Sequence, residues 1–74
     1  MYTTIMPVRS TRVGKFLIST HCVESEGRRS YSTAVYDTTD GVGQISVRPF
    51  LRKKDAIACH RDTVAEYKAQ REAA

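Results

Sequence analysis

The apolar positions in the last third of the chain repeat with the period of a helix. Ile57, His60, Val64 and Tyr67 follow one another at intervals of three, four and three residues. Residues at these intervals stack along one face of a helix. We therefore predict a helix over residues 52–71, with these four side chains on its inward face. Segments earlier in the chain are expected to pack against this face.

Two upstream runs have the alternation expected of β-strands, in residues 15–23 and 30–36. Alternate residues of a strand point to opposite faces. The polar residues 24–29 separate the two runs, so the pattern predicts a hairpin with a loop of about six residues. The better core candidates in the first strand share one face: Phe16, Ile18, Thr20 and Cys22.

A third strand is predicted after the turn signal Asp40-Gly41. Glycine accepts the positive φ that tight turns require, which makes this dipeptide a strong marker of a chain reversal. We expect the strand to run over residues 42–47, with Ile45 and Val47 pointing inward and Pro49 ending it.

The first 14 residues lack sustained alternation. They form either a flexible basic arm or an edge strand, where the missing donor of Pro7 is tolerated. We expect residues 15–74 to form a single β-β-β-α domain. The predicted fold class is α+β: a three-stranded antiparallel sheet, with a fourth N-terminal edge strand left open, packed on one C-terminal helix.

The overall composition is that of one small globular domain, with 74 residues, 41% of them hydrophobic and 27% charged. The apolar runs are far shorter than the roughly 20 residues that span a bilayer, and the N-terminus lacks the apolar segment of a signal peptide. We therefore expect no membrane partner and a cytoplasmic location. Without export, Cys22 and Cys59 are expected to stay reduced and to pack inside as small apolar groups.

The formal net charge of +4 is unevenly distributed. Residues 1–15 and 48–54 contain seven of the twelve basic residues and no acid, and the rest of the chain sums to −3. Cations at a helix N-terminus are unfavourable by roughly 0.3–1 kcal/mol each, and no capping residue precedes Lys53. Two interpretations stay open: a contact with a phosphate or carboxylate, or a solvated basic turn.

The histidines and cysteines do not have the spacing of a catalytic or metal site. His60 lies on the apolar stripe, so we expect it to be partly buried with a ring nitrogen bonded to a backbone or hydroxyl group. Adjacent residues such as His21-Cys22 and Cys59-His60 point in different directions, which argues against zinc. A Cys–His nucleophile needs an exposed thiol in a pocket. We therefore predict no catalytic residue, metal or cofactor.

Five segments of the chain occur in an order that is found in a known group of proteins. They are Ser19-Thr20-His21-Cys22-Val23, Tyr31-Ser32-Thr33-Ala34-Val35-Tyr36, Val47-Arg48-Pro49-Phe50, Asp55-Ala56 and His60. In this order they resemble a group of small proteins encoded by tailed bacteriophages. In that group, an S-T-V-x-L strand precedes an aromatic-E-T-x-V-aromatic strand, an Arg-aromatic strand end and a helix opening T-x-E-E-A with a Gly-His one turn later. The resemblance covers about residues 17–64 and implies the fold and a phage origin.

The departures from this pattern change the charge of the helix N-terminus. Arg52 replaces the Ser or Thr cap, and Lys53 and Lys54 replace acids. Cys59 stands where the group has the glycine before histidine, and Ser32 stands where it has the glutamate of the second strand. This chain is thus more basic at the start of its helix than the group it resembles.

These observations favour a small non-enzymatic, phage-encoded regulator in the host cytoplasm. It would occlude or bridge a host protein or nucleoprotein machine, such as RNA polymerase or a CRISPR effector, with an acidic or nucleic-acid-associated surface. Alternatives are a nonspecific DNA or RNA binder using the same cluster, or an accessory phage protein without a strong partner. Both a monomer and an edge-paired dimer stay open. The expected contact residues are Arg9, Arg12, Arg48, Arg52, Lys53 and Lys54.

Overall fold

The computed structural model of the chain describes residues 3–39, 41 and 43–73. All strand pairs are antiparallel, and the strands lie in chain order across one sheet. The predicted α+β fold class is confirmed, and the N-terminal edge strand is present. The elements are β1 (Thr3–Val13), β2 (Phe16–Ser25), β3 (Arg28–Asp37), β4 (Gly43–Phe50) and α1 (Lys53–Ala73).

Strand β1 occupies one edge of the sheet, so residues 3–13 form the edge strand rather than the flexible arm. Pro7 pairs with His21, and the register shifts at Val8, which has no partner in β2. A proline and a bulge are both tolerated at an edge, because the outer side of the strand has no ladder to maintain. Met1 and Tyr2 lie outside the described residues.

The hairpin between β2 and β3 is tighter than predicted. The expected loop over residues 24–29 is wrong, because only Glu26 and Gly27 lie between the strands. Both have positive φ, +54° and +75°, which matches the twist of a two-residue hairpin turn. The residues before the turn stay in the ladder, where Arg29 Nε donates to Glu24 Oε2 at 2.8 Å.

Strand β4 differs most from the expectation. Pro49 does not end it but pairs with Ser32 inside this second edge strand, and the predicted inward positions are wrong. Ile45 and Val47 are 51% and 50% exposed, because Ile45 is an unpaired bulge residue and Val47 points away from the helix. Asp40 and Val42, the first residues of the predicted turn and strand, lie outside the described residues.

The helix covers one face of the sheet, and the described residues form no second layer on the opposite face, here called the open face. The predicted core side of β2 is confirmed: Ile18, Thr20 and Cys22 are buried, and Phe16 packs partly against the core. The core between the layers is small and partly polar. Its buried members are Val13, Ile18, Thr20, Cys22, Thr33, Val35, Ala56 and His60.

Candidate partner-binding surface

Buried hydrogen bonds fix the helix over the first three strands. The Ala56 carbonyl can only accept, so Thr33 Oγ1 donates to it at 3.1 Å. Thr33 therefore accepts from the Thr20 hydroxyl at 2.8 Å, and Thr20 accepts from His60 Nδ1–H at 2.8 Å. Nε2 of this tautomer accepts from the Thr11 hydroxyl at 2.9 Å. The expectation that His60 bonds a hydroxyl group is confirmed, and both ring nitrogens are engaged.

His60 is only 1% exposed. Burial lowers its pKa below the ordinary 6.5, and the positive charge of Arg9 lowers it further. The ring is therefore neutral at pH 7, as the hydrogen-bond order requires. Arg9 pairs with Thr20 across the β1–β2 ladder, which places it on the helix side of the sheet.

On the β4 side, the helix leaves a groove of about 640 Å³. The helix wall of the groove contains Asp55, Asp62 and Glu66, and the sheet wall contains Arg48 and Phe50. These acids recur at intervals of seven and four residues, so they share one side of the helix. We call this region the acidic groove.

The other side of the helix, towards β1, is basic. Successive helical residues turn by about 100°, so Lys68 lies about 200° and Arg61 about 140° from Glu66. The Arg71 side chain lies over the β1–β2 turn, where its Cδ and Nε are 3.8 Å from the position a Cβ on Gly14 would occupy. We call Arg9, Arg61, Lys68 and Arg71 the cationic flank.

The start of the helix adds three further exposed cations, Arg52, Lys53 and Lys54. The Arg52 carbonyl accepts from Ala56 N–H at 3.2 Å, so Arg52 occupies the N-cap position without a capping oxygen in its side chain. Asp55 is the only acid in the first turn. The unfavourable placement inferred from the sequence is therefore present in the structure, and we call these three residues the basic helix start.

The six contact residues predicted from the sequence do not lie on one surface. Arg9 belongs to the cationic flank, whereas Arg48 lines the acidic groove. Arg12 pairs with Leu17 on the open face, and its guanidinium donates to the Gly14 carbonyl at 3.2 Å and to Thr38 Oγ1 at 3.0 Å. Arg12 and Arg48 lie apart from the other four residues, because strand alternation and the helix separate them, and a contact role for each stays a prediction.

Three basic residues of the cationic flank were missing from the sequence-based set: Arg61, Lys68 and Arg71. The sequence gives the helix little net charge, because it contains acids as well as cations. Helical spacing nevertheless puts Asp55, Asp62 and Glu66 on one side of the axis and Arg61 and Lys68 on the other. The net charge of a segment does not reveal this separation of charges around the helix axis.

The described tyrosines lie in three different parts of the fold. Tyr67 packs edge-on against Phe16, with ring centroids 4.8 Å apart, and both rings line a pocket with Arg71 at the β1–β2 turn. Tyr36 pairs with Leu17 on the open face, and Tyr31 pairs with Phe50 at the β4 side. Of these three tyrosines, Tyr67 therefore lies beside the cationic flank, and its side chain is half-buried.

Two further features bear on the chemistry of the described residues. No group of three or more His, Cys, Asp or Glu side chains among them is placed to hold a metal ion. Cys22 is buried as expected, but Cys59 is only half-buried in the groove wall, where its Sγ lies 3.8 Å from Thr63 Oγ1. No described helix combines the length and the apolar character needed to cross a membrane.

Comparison of the chain with protein-family models, curated proteins and solved structures finds no match.

Proposed function

We propose that the chain is a small non-enzymatic regulator that binds an acidic surface of a host protein through its cationic flank and basic helix start. The observation that carries this proposal is the separation of charge around α1. Three of the four acids of the helix line the β4 groove, and the cationic flank lies on the side towards β1.

This separation gives a modestly charged chain a concentrated positive surface. Opposite charges interleaved on one side would cancel within a Debye length of about 8 Å at physiological salt. Asp62 pairs with Arg61 at 3.2 Å, but both side chains are more than 70% exposed, so the pair is weak and exchangeable. Glu72 is the one acid that helical spacing places near the basic side, at the C-terminal end.

A binding role, rather than a catalytic one, fits the burial of His60 and Cys22. Both ring nitrogens of His60 are bonded to threonine hydroxyls inside the core. Cys22 is buried beneath the helix. A general base must reach a substrate proton, and a nucleophilic thiol must be accessible. These residues therefore support packing roles.

A protein partner is favoured over single-stranded nucleic acid. Proteins that bind single strands without sequence preference combine a positive groove with aromatic side chains on which bases stack. Of the described tyrosines, Tyr31 and Tyr36 lie away from the cationic flank, and the ring of Tyr67 beside Arg71 is half-buried and packs against Phe16. The resemblance to phage proteins supports a host protein as the target. Occlusion of an acidic surface would be the mechanism, with the flank as the contact.

The experiment is capture from bacterial lysate by the tagged full chain, with and without nuclease and at low and moderate salt. Lys68→Glu is compared with Arg28→Glu, because both reverse one exposed charge and only Lys68 lies on the flank. We expect one protein to survive nuclease treatment and to be lost selectively with Lys68→Glu. The captured protein should then bind the purified chain directly.

Two results would contradict the proposal. Equal loss of binding with Lys68→Glu and Arg28→Glu would mean that net charge, rather than the flank, controls binding. Capture that disappears with nuclease would replace the proposal with phosphate binding. In that case, affinity for duplex DNA should fall with the logarithm of salt concentration, with a slope near 0.9 per phosphate contacted.

A further inference from the structure

The open face of the sheet mixes apolar residues with polar, mostly uncharged ones. Ile5 and Val23 are opposite each other at one end, and Leu17 and Tyr36 are opposite each other at the other end. Ile5 is 63% exposed, and Val47 on the outer strand is 50% exposed. Sheets with one solvated face usually alternate apolar inward and polar outward residues. These five apolar positions depart from that pattern.

The centre of the open face contains Ser19, His21, Ser32 and Ala34. Ser19 and Ala34 face each other across β2 and β3, and both are nearly inaccessible although no described layer covers them. The ring of His21 lies beside Ser19, whose Oγ is 3.2 Å from Nε2. Because these four positions include no Lys, Arg, Asp or Glu, a second sheet can approach them at the spacing of about 10 Å found in β-sandwiches.

Charge is nearly absent from this face. Strand alternation places only Arg12 and Arg28 on it among the described charged residues, and they lie at opposite ends of the strands. The formal net charge of the chain is +4, so two copies repel each other through most of their surface. The open face is the one described face of the sheet on which two copies meet without opposing clusters of like charge.

The size of the face matches the needs of a stable association. Four strands spaced about 4.8 Å apart and about ten residues long give a projected area of about 600 Å². Stable interfaces bury about 800 Å² of accessible surface on each partner, and accessible area exceeds projected area because side chains are not flat. The sheet is therefore large enough for a specific contact.

We propose that the open face binds the open face of a second copy, which forms a symmetric sheet-on-sheet dimer. The second copy supplies the same nearly uncharged surface, so one patch completes both subunits. Each subunit has a reason to gain stability by association, because its interlayer core is small and includes three buried polar side chains, Thr20, Thr33 and His60. Small domains with a limited core commonly gain stability by association.

This arrangement differs from pairing of sheet edges. β1 and β4 each contain a proline and a bulge, features that discourage addition of another strand. Face-to-face packing leaves both edges and the whole helix layer free. Each dimer would therefore present two cationic flanks on its outer sides, and the proposal is independent of the partner that they bind.

The test is sedimentation equilibrium of the full chain over a wide concentration range, with two double variants. Ile5→Lys/Val47→Lys puts charges on the open face. Met6→Lys/Leu51→Lys makes the same kind of change at exposed positions off that face, since Met6 pairs with Cys22 on the helix side. We expect a wild-type dimer that the first variant weakens by about tenfold or more and the second leaves intact.

A variant-free measurement accompanies the first. On dilution of the wild-type chain, amide chemical shifts should change for Ser19, His21 and Ser32 more than for residues of the cationic flank. A wild-type monomer at several hundred micromolar would overturn the proposal. Equal dissociation of the two double variants, or dilution shifts confined to the outer edges of β1 and β4, would also overturn it.

Discussion

The two sides of α1 differ in both charge and attachment to the sheet. Towards β1, His60 joins the helix to Thr11 and Thr20, and the exposed residues above this contact are basic. Towards β4, the helix stands away from the sheet and its acids line an open groove. The basic side is anchored to β1 and β2 through His60, whereas the hydrogen bonds of the described residues include none between α1 and β4.

This difference shows why net charge is a poor guide to how charge is distributed over a small domain. The same helix contributes an acidic wall and a basic wall because its acids and most of its cations lie on opposite sides of its axis. Anchoring fixes the cationic flank relative to β1, so its charges are presented with little reorganisation on binding. The acidic groove lacks such anchoring and keeps Arg48 among its acids.

The largest expected change in stability comes from a substitution on the side of the helix that His60 anchors. His60→Ala should lower the free energy of unfolding by about 2–4 kcal/mol, because it leaves a cavity and removes partners from two threonine hydroxyls. Cys59→Ala, in the groove wall, should cost less than about 1.5 kcal/mol. Urea unfolding followed by circular dichroism measures both. Equal costs for the two variants would refute the asymmetry.

The second effect is a loss of stability at mildly acidic pH. The pKa of His60 is lowered in the folded chain, so the unfolded chain binds the proton first as pH falls. Stability should decrease as pH drops below 6.5, and each unit of difference in pKa corresponds to about 1.4 kcal/mol. His60→Gln should flatten the stability profile between pH 7 and 5.

The charge of Arg9 gives this pH profile a matched control. Arg9→Gln should reduce the pH dependence, since Arg9 contributes to lowering the pKa of His60. Arg48→Gln removes the same charge on the groove side and should leave the profile unchanged. An unchanged profile in Arg9→Gln would exclude a contribution from the flank.

The titration of Asp37 lies outside this pH range. Hydrogen bonds from Thr39, followed by the charge of Lys15, lower the pKa of Asp37, so its contribution to stability is lost only as pH falls below 3.8.

The smallest effect concerns the basic helix start. Arg52→Ser supplies the missing N-cap oxygen and removes a cation from the positive end of the helix dipole. It should raise the free energy of unfolding by about 1 kcal/mol and weaken partner binding. Arg52→Ala tests the charge without the cap. Stability unchanged in Arg52→Ser would mean that the backbone at residue 52 does not take the N-cap geometry in solution.

The sequence predicted the elements better than their orientation. Alternation in β2 and helical spacing in α1 are local properties, so the core side of each could be inferred from residue order. The register of β4 depends on a bulge at Ile45 opposite β3, which leaves no local mark and reversed the inward assignment of Val47. The buried Thr11–His60–Thr20 contact joins residues distant in sequence and required the fold.

The candidate site was predicted only in part for a similar reason. The basic helix start is contiguous in sequence and could be recognised from residues 52–54. The cationic flank combines β1 with two later turns of α1, and the acids of α1 lower the net charge of that part of the sequence. Helical spacing alone separates the acids from the cations. Which side of the helix faces β1 and which faces β4 follows only from the hydrogen bonds of His60 in the folded chain.

The central claim is that the cationic flank, rather than net charge, binds the partner. The most direct test is a binding titration of the captured partner with Glu66→Lys/Lys68→Glu, which exchanges one charge between the two sides and preserves the net charge of +4. The control Glu24→Arg/Arg29→Glu exchanges the charges of an ion pair on β2 and β3. We predict an affinity about tenfold lower for the helix exchange and unchanged for the control. An affinity unaffected by the helix exchange would contradict the claim.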